Sequence, residues 1–170
     1  PRLIRLQDQE DPVAALKVGQ PEEVVRHWMY ANSIHLIDYF PMLGRGEISA
    51  VDPIVRWAPD NPGYVVAKIS FSSGDVGLYE AVWNGPAPWA VNVFTPSRRW
   101  ELRPLEKALF QDAGSRLTEE CEIHSRDKIF KPGLRRQAEL AVRCVRGEEG
   151  LLPTLADAMV SMRLAQAIYA

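Results

Sequence analysis

The sequence predicts an α+β protein built on a large, mostly antiparallel sheet. Helical patterning is confined to the two ends of the chain, and the middle is a series of short β-branched and aromatic segments. Tight turn signals separate those segments, and short connections join antiparallel strands because parallel pairs need long crossovers. The chain has 170 residues, 46% hydrophobic and 25% charged, enough for one domain with a sizeable core.

Each element follows from local chemistry. Leu3-Ile4-Arg5-Leu6 reads as a strand that starts at once. Asp11-Pro12 starts a helix, with Asp as cap and Pro at the first helical position, and Gly19 is a stop. Pro21-Glu22-Glu23 starts another, its carboxylates at the favourable end of the dipole. That helix runs toward Leu43-Gly44 and is broken near Asn32-Ser33, residues that bond their own backbone.

The strands expected next are Ile48 to Trp57, Tyr64 to Phe71, Val76 to Trp83, Trp89 to Phe94 and Arg99 to Leu102. Asp60-Asn61-Pro62-Gly63, Ser72-Ser73-Gly74-Asp75, Asn84-Gly85-Pro86 and Pro96-Ser97 separate them. Lys131-Pro132-Gly133 leads into a helix from Leu134 to Val145 that ends near Gly147. Pro153-Thr154 caps a last helix from Leu155 to Tyr169. Leu155, Ala158, Met159, Met162, Ala165 and Tyr169 give it one apolar face. Trp83, Trp89 and Trp100 recur along the sheet, either as packing or as an exposed aromatic face for a second subunit.

Several function classes are disfavoured. Net charge is -2 with no basic block, which argues against nucleic acid. No apolar run is long enough to span a bilayer. Cys121 and Cys144 read as reduced thiols of a cytoplasmic protein, and Cys121 with His124 is half a metal site without a second pair. Gly44-Arg45-Gly46 precedes a strand and lacks a third glycine, so it is no dinucleotide fingerprint. No Gly-rich loop with Lys-Ser or Lys-Thr occurs, and no serine sits in a nucleophile elbow. The chain alone is therefore expected to bind neither NAD nor NADP.

Asn32-Ser33-Ile34-His35-Leu36-Ile37-Asp38-Tyr39-Phe40 carries the polar chemistry. On a regular helix Trp28, Asn32, His35 and Tyr39 share one stripe, and Val25, Met29, Leu36 and Phe40 share a neighbouring one that faces a core. An imidazole exchanges protons near neutrality, so His35 is the candidate catalytic residue. Trp28, Asn32 and Tyr39 are the candidate substrate contacts. A histidine on a half-apolar helix is also a common structural residue, and both readings stand at this point.

These residues carry a resemblance. His35-Leu36-Ile37-Asp38, followed by Gly44 and Glu47, resembles the C-terminal domain of the glucose-fructose oxidoreductase / inositol dehydrogenase (Gfo/Idh/MocA) family. So does the strand-rich middle ending in Pro104-Leu105-Glu106. Phe130-Lys131-Pro132-Gly133-Leu134-Arg135-Arg136-Gln137 is similar to a signature of some members. Leu155-Ala156-Asp157-Ala158-Met159, Met162-Arg163-Leu164 and Ala167-Ile168-Tyr169 resemble the family's closing helix.

The resemblance implies a sheet with helices packed on one face and an open face that forms an oligomer, most simply a homodimer. It implies that residues 1–170 are a single C-terminal domain for substrate binding and oligomerisation. The N-terminal Rossmann domain, which binds NAD or NADP in full-length members, is then missing. The chain begins at Pro1 with a strand and no lead-in, as a piece of a longer polypeptide would; removal of an initiating Met fits the same observation. His35 matches the family's acid/base for a sugar or polyol hydroxyl. Two departures stand out. Ala31 occupies the place of an Asp found in many members, and the catalytic Lys belongs to the missing domain. The expected function is the substrate-binding, dimerising half of an NAD(P)-dependent oxidoreductase, inactive alone. The other reading is a non-enzymatic sheet-dimerisation module. A stand-alone enzyme would need a second group near His35.

Overall fold

A computed structural model describes residues 1–150 and 152–170. The strands are β1 (Leu3–Glu10), β2 (Ile48–Val55), β3 (Tyr64–Phe71), β4 (Val76–Trp83), β5 (Ala90–Phe94), β6 (Arg98–Leu102), β7 (Ala108–Asp112) and β8 (Glu119–Glu120). Among the described residues they form one sheet in the order β2-β3-β4-β1-β5-β6-β7-β8. All neighbouring pairs are antiparallel except β1 with β4. The helices are α1 (Pro12–Lys17), α2 (Glu22–Arg26), α3 (Ile34–Ile37), α4 (Tyr39–Leu43), α5 (Ser125–Ile129), α6 (Leu134–Val145) and α7 (Leu155–Ile168), with a π-turn at Met29–Ser33. This is the α+β class expected.

Strand alternation sets the two faces. Ile4 and Leu6 of β1, Val65, Ala67 and Ile69 of β3, and Tyr79 and Ala81 of β4 point to one side and are buried. The π-turn, α3 and α7 pack there, and Leu36, Ile37, Phe40, Leu164 and Ile168 complete the core. Gly77 of β4 lies under Phe40: a Cβ there would sit 2.5 Å from the ring. The opposite face is more polar. Arg5 Nη2 meets Glu80 Oε2 at 2.7 Å across β1 and β4, and Gln7 Nε2 donates to the same oxygen.

The caps match the sequence signals. Asp11 accepts from the Ala14 N–H at 2.8 Å, and Gly19 takes φ +91° behind α1. Thr154 and Asp157 form a reciprocal capping box that starts α7. β3 and β4 have the expected limits, and β2 ends two residues early at Val55. Pro53 sits beside a register shift in β2, an edge strand, where its missing donor is tolerated.

Four expectations need correction. β4 and β5 follow each other in sequence but are not neighbours, because β1 inserts between them. The connection Asn84 to Trp89 crosses the end of β1, and six extended residues reach across two strand spacings. β1 itself continues four residues past Leu6. β7 and β8 escaped notice because Ala108-Leu109-Phe110-Gln111-Asp112 has no β-branched residue and Glu119-Glu120 is wholly charged.

The fourth concerns α7. Its buried row is Ser161, Leu164, Ala165 and Ile168, while Leu155 is 81% exposed and Met159 is also exposed. Ser161 Oγ donates to Asp38 at 2.5 Å. That bond and the burial of Leu164, Ala165 and Ile168 share one side of the helix, and its first turn is exposed. The tryptophans divide as well. Trp83 and Trp100 lie on the helix-covered side, where Trp57 stacks on Trp83 with centroids 4.0 Å apart. Trp89 precedes β5 and is 41% exposed.

Candidate functional site

The helical segment from Glu22 to Leu43 is not one regular helix. The π-turn at Met29–Ser33 is wider than an α-turn, so it changes which side chains line up before and after it. Ser33 and Met29 are buried, and Leu36, Ile37 and Phe40 continue the buried row. The four candidate residues are thereby separated. Trp28 packs against the core, with its indole nitrogen buried and unpartnered among the described residues. Asn32 Nδ2 donates to Glu10 Oε2 at 2.9 Å. His35 is exposed. Tyr39 opens the next helix, α4, after a turn at Asp38.

Tyr39 lines a cavity of about 340 Å³ with Arg2, Leu43, Val93, Thr95 and Trp100. Its phenol is pushed above the ordinary value by burial, then by the charges of Glu106 and Asp38. The Arg2 guanidinium is fixed by donating to the Leu43 carbonyl at 2.8 Å. A flat aromatic wall, the Tyr39 hydroxyl and a cation around one hollow suit a small hydroxylated molecule, while the Thr95 hydroxyl is engaged with the Arg98 backbone. His35 is exposed on α3, and neither it nor Trp28 lines that hollow. Asn32, held by Glu10, is not among the residues lining that hollow.

A second constellation lies beneath the π-turn. Asp8 and Glu10 alternate down the buried face of β1, both fully buried. Ser33 Oγ donates to Glu10 Oε1. Tyr79 Oη donates to Asp8 Oδ2 at 2.7 Å, and the Tyr169 hydroxyl lies 2.8 Å from that of Tyr79 and 3.2 Å from Ser33 Oγ. A chain of hydroxyls therefore links the two carboxyl groups. Burial, followed by the charge of Asp8, pushes Glu10 up to about 8; burial raises Asp8 as well. Both phenols are raised by burial.

Sequence reading missed this cluster. The signal was present in Leu6-Gln7-Asp8-Gln9-Glu10, where the carboxyls continue the inward alternation of Ile4 and Leu6. Only Leu3-Ile4-Arg5-Leu6 reads as strand from the sequence, which leaves Asp8 and Glu10 without an assignment.

No family model matches the sequence, and no curated protein matches it by sequence. Solved structures do match by shape. The UDP-N-acetylglucosamine 3-dehydrogenase GnnA from Acidithiobacillus ferrooxidans aligns over 99% of this chain with a TM-score of 0.66 and 16% identity. A dehydrogenase from Chromobacterium violaceum aligns over 98% with a TM-score of 0.67 and 17% identity. Levoglucosan dehydrogenase, in complex with NADH and levoglucosan, aligns over 98% with a TM-score of 0.70 and 16% identity.

The fold is that of the C-terminal domain of Gfo/Idh/MocA-type dehydrogenases. The chain spans about half the length of these structures, between 51% and 55%. The family likeness expected from the His35-Leu36-Ile37-Asp38 segment and the closing helix is thus matched by the whole architecture. No helix among the described residues is long and apolar enough to cross a membrane.

Proposed function

We propose that this chain is the substrate-binding and dimerising domain of an NAD(P)-dependent oxidoreductase acting on a sugar, polyol or related hydroxy compound. The observation that carries this reading is the match of nearly the whole chain to about half of several dehydrogenases, two named for sugar substrates and one holding NADH. The described helices open without a glycine-rich turn following a strand, so these residues do not fit a dinucleotide. The nicotinamide, which supplies the hydride chemistry when bound, belongs to a separate Rossmann domain, and the chain alone is inactive.

Within this domain Tyr39, with Arg2, Thr95 and Trp100, forms the wall for the substrate ring. His35, exposed on α3, exchanges the hydroxyl proton. Asn32 and Trp28 support the site from the core side, Asn32 through its bond to Glu10. The test uses the polypeptide that joins this chain to its cofactor domain, assayed for nicotinamide reduction on a panel of sugars and polyols. His35→Ala should lower turnover roughly a hundredfold or more, the usual size of an acid/base contribution. Turnover near that of the parent, with an unchanged melting temperature, would return His35 to a structural role.

Ala31 supports a second reading, a dimerisation module that has kept the fold without the chemistry. Nicotinamide binding with no turnover on any hydroxy compound would favour it.

A further inference from the structure

Both carboxyl oxygens of Glu10 are occupied by the π-turn. Ser33 Oγ donates to Oε1 and Asn32 Nδ2 donates to Oε2. Glu10 is itself held in the sheet: its carbonyl accepts the Asn84 N–H at 2.7 Å, and it pairs with Trp83 across β1 and β4. The turn it grips hands the chain straight to α3, which opens at Ile34 and carries His35. A π-turn is a rare geometry that persists where its surroundings support it. Here one side chain of the sheet grips two successive residues of the turn.

We propose that Glu10 is a positioning residue for His35, acting through Asn32 and Ser33. The inference rests on the reading of His35 as the acid/base group.

The clamp depends on protonation. Asp8 lies two residues away on the same buried face, and its Oδ1 has no hydrogen-bond partner among the described residues. The groups facing the pair are neutral: Tyr79 from β4, Tyr169 from α7, and Asn32 and Ser33 from the π-turn. Two ionised carboxylates cannot share such an interior without a cation, so the pair keeps one proton. Burial raises both groups, and burial followed by the charge of Asp8 pushes Glu10 up to about 8. Loss of that proton sets two buried negative charges side by side, with repulsion between them. Glu10 then draws away from Asp8 and moves Asn32 and Ser33 with it.

The experiment follows isoleucine methyl resonances of this chain by NMR from neutral to alkaline pH. Ile34 and Ile37 flank His35 on α3 and report its position. Their signals should move together with a midpoint near pH 8, where Glu10 titrates. Glu10→Gln, uncharged and of similar shape, should abolish the movement. Asp8→Asn should carry the midpoint toward the ordinary glutamate range, because the neighbouring charge is gone. Signals that stay fixed in the unsubstituted chain, or that move alike in Glu10→Gln, would overturn the proposal. Should Glu10→Gln fail to fold, an unmoved midpoint in Asp8→Asn would overturn it equally. A Glu10-dependent movement in a chain whose joined form oxidises no hydroxy compound would instead overturn the functional reading and leave the clamp standing.

Discussion

The hydroxyls of Tyr79 and Tyr169 lie 2.8 Å apart, joining the middle of the sheet to the end of the last helix. Tyr79 donates to Asp8, so its own oxygen is free to accept from Tyr169. Tyr169 in turn stands edge-on to Trp57 and Trp83, with centroids 5.6 and 5.8 Å away. One residue thus ties α7 to the sheet by both a polar bond and an aromatic contact.

Tyr169→Phe separates those two contributions. The ring keeps its place while the hydroxyl between Tyr79 and Ser33 is lost. Stability should fall by about 1 kcal/mol, the net value of a buried hydrogen bond. Urea unfolding should show a lower midpoint with an unchanged slope. A midpoint equal to that of the parent chain would show that the phenol-phenol bond contributes nothing.

Acid should loosen the turn at Asp75. This fully buried carboxylate accepts from Arg45 Nη2 at 2.7 Å and Nε at 2.9 Å, and from the Arg2 backbone N–H at 2.7 Å. The Arg45 guanidinium holds the group well below the usual carboxylate range. Its folded value is therefore depressed, and the stability it contributes is complete above the ordinary 3.8. That stability is lost as pH falls through the still lower folded value. Asp75→Asn should cost about 2 kcal/mol near neutrality and flatten the acid limb of a circular-dichroism titration. Identical acid limbs for the two proteins would assign the acid response to other groups.

The open face of the sheet should pair with itself. Tyr64 is 66% exposed there beside Val82, and Val66 and Leu78 share the same side. We expect a two-fold dimer burying above roughly 2,000 Å² in total, as obligate contacts do. Arg5 and Glu80 give that contact a charged centre. Light scattering coupled to size exclusion measures the mass, and a monomer at micromolar concentration would rule the contact out. Tyr64→Asp should then dissociate the dimer while leaving the fold intact.

The fold was largely legible where periodicity and punctuation agreed. Val76 to Trp83 alternates between two turns, and β4 has those limits. The helix beginning at Glu22 was legible as a start and a break, because Asn32 and Ser33 resist regular helix. How the break would be built was not legible. A wide turn stabilised by Glu10 depends on a residue far upstream that local pattern treats as surface. The site was legible in the same measure. The stripe from Trp28 to Tyr39 assumes one regular helix, and the π-turn at Met29–Ser33 and the turn at Asp38 interrupt it, so Tyr39 lines a hollow that His35 and Asn32 do not. The rotation of α7 was hidden for a related reason: its buried row takes in Ser161, which reaches Asp38, and hydrophobicity alone favours Leu155 and Met159.

The place of β1 bears on how the chain acquires its shape. Leu3 pairs with Val76 on one side and Phe94 on the other, so the strand made early is completed late. β2, β3 and β4 can form a meander from neighbouring sequence, and β5, β6 and β7 can form another. Joining them requires the N-terminal strand to slot between, closing loops that take in much of the chain. Such non-local pairing slows folding. Until β1 docks, the inner edges of β4 and β5 are unpaired and open to strands of other molecules. Substitutions that weaken β1 should therefore be felt as aggregation during refolding before they are felt as lost stability.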